Sequence, residues 1–127
     1  MPNLRALIES GLVEREDGTI FDTTTKLLWQ QSPSDETFTW KEAERYCRYL
    51  TLAGHSDWRL PTIEELRLLI NRKYQPTIDP IFKCKSGWYW SSSTLVGPDY
   101  AWYVGFSDGV VFFDYKGGVY FVRAVRG

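Results

Sequence analysis

The side chains able to do chemistry are few and scattered along the chain. His55 is the only histidine and sits in a Gly-His-Ser-Asp turn. With no second His or Cys at ligand spacing, no metal site is expected. Glu64 and Glu65 are adjacent carboxylates, but they fall in the first turn of an expected helix, where negative charge favours the backbone dipole rather than acid–base work. Cys47 and Cys84 are the only cysteines, and nothing in their spacing dictates a disulfide, so two reduced, buried thiols are expected. Arg59, Arg123 and Arg126 are expected to form internal salt bridges or bonds to carbonyls. No Ser/His/Asp set, phosphate loop or zinc motif occurs. The expectation is a non-enzymatic chain with no cofactor and no metal.

What remains is the chemistry of rings. Aromatic residues make up 17% of the chain, and six Trp, eight Tyr and seven Phe exceed what one small core needs. Some should therefore face solvent, where Tyr and Trp offer large contact area at low entropic cost. The net charge of −1 argues against nucleic-acid or anionic-membrane partners drawn by bulk charge. There is no apolar run near 20 residues and no basic–apolar leader, so neither membrane insertion nor secretion by its own signal is expected.

At 127 residues the chain suits one domain, read here as residues 17–127 behind an N-terminal extension of residues 1–16. Leu4, Leu7, Ile8 and Leu12 recur at helical spacing after Asn3, which predicts a short amphipathic helix. Asp17-Gly18 signals a turn, and residues 19–31 read as a hairpin. Thr39 with Glu42, and Thr62 with Glu65, are capping boxes. The first opens a helix with Ala43, Tyr46, Cys47 and Leu50 on one face, ended by Gly54 as its C′ residue. The second opens a helix reaching about Lys73. Residues 74–85, with Pro76 and Pro80, read as an irregular connection. The strand-rich half follows: Trp88–Ser93, Ala101–Phe106, Val110–Tyr115 and Val119–Arg126, with turns at Ser107-Asp108-Gly109 and Gly117-Gly118.

Two segments are distinctive together: Gly54-His55-Ser56-Asp57-Trp58-Arg59-Leu60-Pro61-Thr62 and Tyr89-Trp90-Ser91-Ser92. With Gly18-Thr19, Leu28-Trp29, Trp40-Lys41-Glu42-Ala43, Ala101-Trp102-Tyr103-Val104 and Val122-Arg123-Ala124-Val125-Arg126, the chain resembles the Lcl C-terminal-domain family from about Gly18 to Arg126. The resemblance implies an α+β, C-type-lectin-like fold, with two helices on a small twisted antiparallel sheet, a C-terminal β-meander and termini brought together. It also implies relatives among adhesin tips and among the variable proteins of diversity-generating retroelements. Many members carry Cys where this chain has Ala124, so Cys47 lacks the partner it would have there. The calcium motifs of sugar-binding C-type lectins are absent, and Gln75-Pro76-Thr77 supplies no carboxylate at its third position. The formylglycine-generating oxidases of this fold need two close cysteines in a cleft, whereas Cys47 falls on an apolar helix face. That enzymatic reading is the second alternative.

The candidate binding surface lies in the meander. Strand alternation sends Trp102, Val104 and Phe106 one way and Tyr103, Gly105 and Ser107 the other. The first set is expected in the core. On the returning strand the facing stays open between Val111 with Phe113 and Val110 with Phe112 and Asp114. Tyr103, Gly105, Ser107, Asp108, Phe112, Phe113, Asp114, Tyr115 and Phe121 are the expected ligand-binding residues. Trp58, Arg59, Leu60, Pro61, Trp90, Trp102, Arg123 and Arg126 are expected to be framework. The off-framework residues from 94 to 121 all have codons ending in a pyrimidine, and Glu, Gln and Met are missing. Adenine-directed variation of Asn codons would leave that composition, and so would an ordinary strand-and-turn segment. The expected partner is a protein or glycan on another molecule. A sulfated polysaccharide is the alternative, disfavoured because Lys116, Arg123 and Arg126 are balanced by Asp99, Asp108 and Asp114.

Overall fold

The computed structural model describes residues 11–127. Turn chemistry builds the first half. Gly18 adopts φ +89°, a conformation open to a residue without Cβ, and Asp17 Oδ1 accepts the Thr19 N–H at 3.1 Å. This turn joins β1 (Leu12–Glu14) to β2 (Thr19–Asp22). Asp22 Oδ1 then accepts the N–H groups of Thr24 and Thr25, and the chain returns as β3 (Leu28–Gln30). The expected hairpin over residues 19–31 is therefore present. Leu12 lies in β1, while Leu4, Leu7 and Ile8 of the expected N-terminal helix fall outside the described residues.

Both capping boxes close in both directions. Thr39 Oγ1 accepts from Glu42 N, Glu42 Oε1 accepts from Thr39 N, and α1 runs Trp40–Tyr49 with Ala43 and Cys47 buried. Gly54 does not end this helix. Leu50 caps it in an extended conformation, and Ala53-Gly54, both at positive φ, form a separate tight turn in which Leu52 and His55 exchange backbone bonds. Thr62 and Glu65 open α2, which spans only Ile63–Arg67. It stops short of Lys73 because Leu68, Leu69 and Ile70 take i→i−3 bonds that tighten the turn. Ile70 then bridges Ile78 in the irregular connection.

The second half forms β4 (Trp88–Thr94), β5 (Tyr100–Gly105) and β6 (Val110–Tyr115), an antiparallel sheet in that order. The expected last strand breaks up, because each of its residues meets a different partner. Tyr120 bridges Phe38, Phe121 lies parallel to Tyr89, and only β7 (Val125–Arg126) joins the first sheet, beside β3. The first and last described strands thus share one four-stranded sheet, ordered β1-β2-β3-β7. Among the described residues the architecture is α+β, with two helices packed on small antiparallel sheets and a C-terminal meander.

Both faces of the β4–β6 sheet are partly used. Tyr89, Val104 and Phe106 join Trp29, Leu66, Ile78 and Phe82 in one core cluster. Trp90, Ala101 and Tyr103 join Cys47, Trp58, Leu60 and Ala124 in the other. Fully buried Arg123 donates from Nη1 to the carbonyls of Gln30 (2.8 Å) and Gln31 (2.6 Å) and from Nη2 to that of Lys83 (2.7 Å). Its guanidinium stacks over Phe82 and Tyr89, and burial lowers its pKa.

Candidate functional site

The register of the meander decides which rings face out. Directly paired residues share a face, so the pairs Tyr100–Tyr115, Trp102–Phe113 and Val104–Val111 lie on one side of the sheet. Ala101–Asp114 and Tyr103–Phe112 lie on the other. On the first side Val104 and Val111 reach the core, but towards the other end the cover stops. There Tyr100, Trp102, Phe113 and Tyr115 form a ladder of edge-on rings, with centroids 5.4 Å apart for Trp102–Phe113 and 6.3 Å for Tyr100–Phe113 and Tyr100–Tyr115. Tyr100 is 45% and Tyr115 57% exposed. On the second side Phe112 (52%) and Trp88 (40%) stand open.

Several expected binding residues lie elsewhere. Tyr103 is only 6% exposed, stacked on Trp88 at 4.7 Å and tilted against Tyr120 at 5.3 Å. Burial, then the nearby Asp114 and Asp108 charges, raise its pKa. Its chain neighbour Trp102, expected in the core, is half-exposed instead. Val104 and Phe106 are buried as expected, so only the Trp102–Tyr103 end of the strand departs: the core cover on the Trp102 face stops short of it, while Tyr120 from the C-terminal segment covers Tyr103 on the other face. Phe121 packs half-buried on Tyr89 and the first core cluster. Gly105 is buried beneath Trp88, so it offers no open backbone. Asp114 is engaged within the fold: Tyr120 Oη donates to Oδ2, and the Tyr115 N–H donates to Oδ1. Ser107 and Asp108 occupy the β5–β6 turn, with Asp108 exposed. Phe112, Phe113 and Tyr115 do share the open end of the sheet. Tyr100 belongs beside Phe113 and Tyr115, and Trp88 stands open on the other face at the opposite end of the sheet; both escaped sequence reasoning, although Trp88 alternates with Trp90 and Tyr100 opens a strand after Pro98-Asp99.

The framework residues are tied inward. Arg59 makes a paired bridge to Glu65 (2.8 and 2.9 Å), and Arg126 one to Asp57 (2.6 and 3.0 Å). Each arginine holds its carboxylate below the usual range. Trp90 Nε1 donates to Phe38 O at 2.8 Å, Ser91 Oγ to Trp102 O at 2.7 Å, and Ser93 Oγ accepts the Ile63 N–H at 2.9 Å. Leu60 and Pro61 are buried, as is Trp58, whose Nε1 donates to His55 O. These are the residues of the two distinctive segments, and the comparison with known families agrees with them: the Lcl C-terminal domain matches residues 18–126. The chain belongs to that family. No curated protein matches it.

In this Lcl C-terminal domain the polar residues of the motif segments are engaged in structural contacts. Among the described residues no group of three or more His, Cys, Asp or Glu could hold a metal ion. Both cysteines are free, Cys47 buried and Cys84 half-buried. Burial pushes the Cys47 thiol up to about 12, the opposite of what a nucleophile needs. Cys47 and Ala124 fall in the same core cluster. No described helix is long and apolar enough to cross a membrane. Exposed aromatic clusters on the meander are the feature a ligand or protein partner could use.

Proposed function

We propose that residues 17–127 bind a macromolecular target, a protein or a glycan, through the ring ladder Tyr100–Trp102–Phe113–Tyr115. Residues 94–121 would be the variable segment of a diversity-generating-retroelement protein. One observation carries the reading: the residues of the two distinctive segments are engaged inside the fold, while the large rings Tyr100, Phe113 and Tyr115, outside the motifs, stand open or half-open at one end of the sheet. Such rings anchor interfaces, where a central aromatic residue costs ~2 kcal/mol or more to remove. A polyanion is a poorer fit, because Lys116 sits over the Trp40 ring, Arg123 is buried and Arg126 pairs with Asp57.

The test is a screen of the purified domain against glycan arrays and cell-surface proteins, repeated with Tyr100→Ser and Tyr115→Ser. The variants should melt as the parent does and lose the captured target, while added salt leaves parental binding intact. Binding that collapses with salt would favour the sulfated-polysaccharide reading. The retroelement reading expects a neighbouring reverse-transcriptase gene and a near-copy of the sequence encoding residues 94–126; a genome with neither refutes it.

A further inference from the structure

Strand β6 is an edge strand, and its backbone is open at a defined place. Among the described residues β6 pairs only with β5. Lys116 N donates to Asp99 O, which sets the alternation: Val110, Phe112 and Asp114 bond to β5, while Val111, Phe113 and Tyr115 turn their backbone groups outward. Tyr115 is satisfied locally, its N–H by Asp114 Oδ1 and its carbonyl by Gly118 N. That leaves Val111 and Phe113 with two N–H and two C=O groups aimed out of the sheet. Edge strands are ordinarily guarded by Lys, Pro or a bulge. The sequence Val-Val-Phe-Phe-Asp-Tyr has neither residue, and its pairing with β5 runs without a register shift.

We infer that β6 pairs with β6 of a second copy of this chain, antiparallel about a dyad at Phe112. The open groups select this register. With Phe112 opposite its own copy, Val111 faces Phe113 of the second copy and Phe113 faces Val111, so all four open groups on each chain pair across the dyad. Charge agrees with it. Asp114 meets Val110 rather than another Asp114. The two three-stranded sheets become one six-stranded sheet, and the two ring ladders join through the Val111–Phe113 pairs. The inference stands on backbone geometry and does not require the target-binding reading. One strand per chain buries less than the ~800 Å² per partner of a standard interface, so a weak dimer is expected, with a dissociation constant on the order of 10–100 µM.

Sedimentation from about 10 µM to about 1 mM spans that range and should show monomer giving way to dimer. Amide exchange at Val111 and Phe113 should slow as dimer forms. In a Cys84→Ser background, Phe112→Cys should cross-link to itself on oxidation, because directly opposed residues bring their Cα atoms within disulfide reach. Val110→Cys, four positions out of register with its own copy, should not. Phe112→Lys should abolish dimerisation, whereas Tyr100→Ser, which removes a ring of the proposed target surface, should leave it intact. Monomer at every concentration overturns the inference and would assign the edge to an extended segment of another protein. Cross-linking of Val110→Cys as fast as Phe112→Cys also overturns it.

Discussion

Replacing Arg123 with Met tests what holds the two halves of the domain together. The guanidinium, fully buried, supplies three bonds to main-chain carbonyls from two separate stretches, Gln30-Gln31 and Lys83. Met keeps most of the stem volume and its contact with Phe82 and Tyr89 but donates nothing. Gln31 O retains the Lys83 N–H at 3.1 Å, whereas Gln30 O and Lys83 O lose their donor. The buried Gln30 carbonyl left unpaired costs ~1–3 kcal/mol, and the Lys83 carbonyl, at an exposed residue, costs less because water can reach it. With the lost cation–π attraction, worth ~0.5–2 kcal/mol, the expected destabilisation is about 4 kcal/mol. At a urea dependence of ~2 kcal/mol/M for a domain of this size, the unfolding midpoint should fall by about 2 M. Tryptophan fluorescence during urea titration reads it directly. Arg123→Lys should recover at most half, since a single ammonium cannot span carbonyls arranged for a planar fork. A Met variant within ~0.5 M of the parent midpoint, equivalent to about 1 kcal/mol, would refute the view that these carbonyls depend on Arg123.

Glu65 carries a pH signature: its folded pKa is lowered, chiefly by Arg59. Its contribution is present above the ordinary Glu value of ~4.3 and is lost as pH falls through the lowered folded value. Glu65→Gln should therefore flatten the stability-against-pH curve below the ordinary Glu value of ~4.3. The loss at neutral pH should be modest, about 1 kcal/mol, because the pair is partly exposed and screened. The thiols should react in two classes with a disulfide reagent at pH 8: half-buried Cys84 in the native state, and Cys47 only after denaturation, which thiol counting with and without guanidinium will show. Gly105→Ala would set a Cβ 2.7 Å from Trp88 Cδ1. It should destabilise by ~1–3 kcal/mol and shift the tryptophan emission as Trp88 leaves Tyr103.

Local chemistry was legible in the sequence wherever one stretch supplied both partners. Thr39 with Glu42 and Thr62 with Glu65 lie three residues apart, so the helix starts followed from spacing alone. The turns at Asp17-Gly18 and at residues 106–109 followed likewise. The helix ends did not. The tight final turn of α2 answers to Ile78, and the turn at Gly54 answers to the Leu52–His55 exchange, partners that helix periodicity does not reveal. The internal role of the arginines was readable as a type of contact, but the choice of Glu65, Asp57 and three carbonyls required the folded chain.

The motif segments pointed by resemblance to the family and to the α+β class it implies, capping-box spacing determined the helix N-termini, and composition determined the presence of more rings than one core can hold. Alternation along β5 determined that Trp102 and Tyr103 point opposite ways. Only the tertiary structure decided which way is out, because the choice depends on Tyr120, which the C-terminal segment lays against Tyr103 from seventeen residues further along the chain. A period-two pattern divides a strand into two faces, and only the material packed on each face distinguishes core from surface.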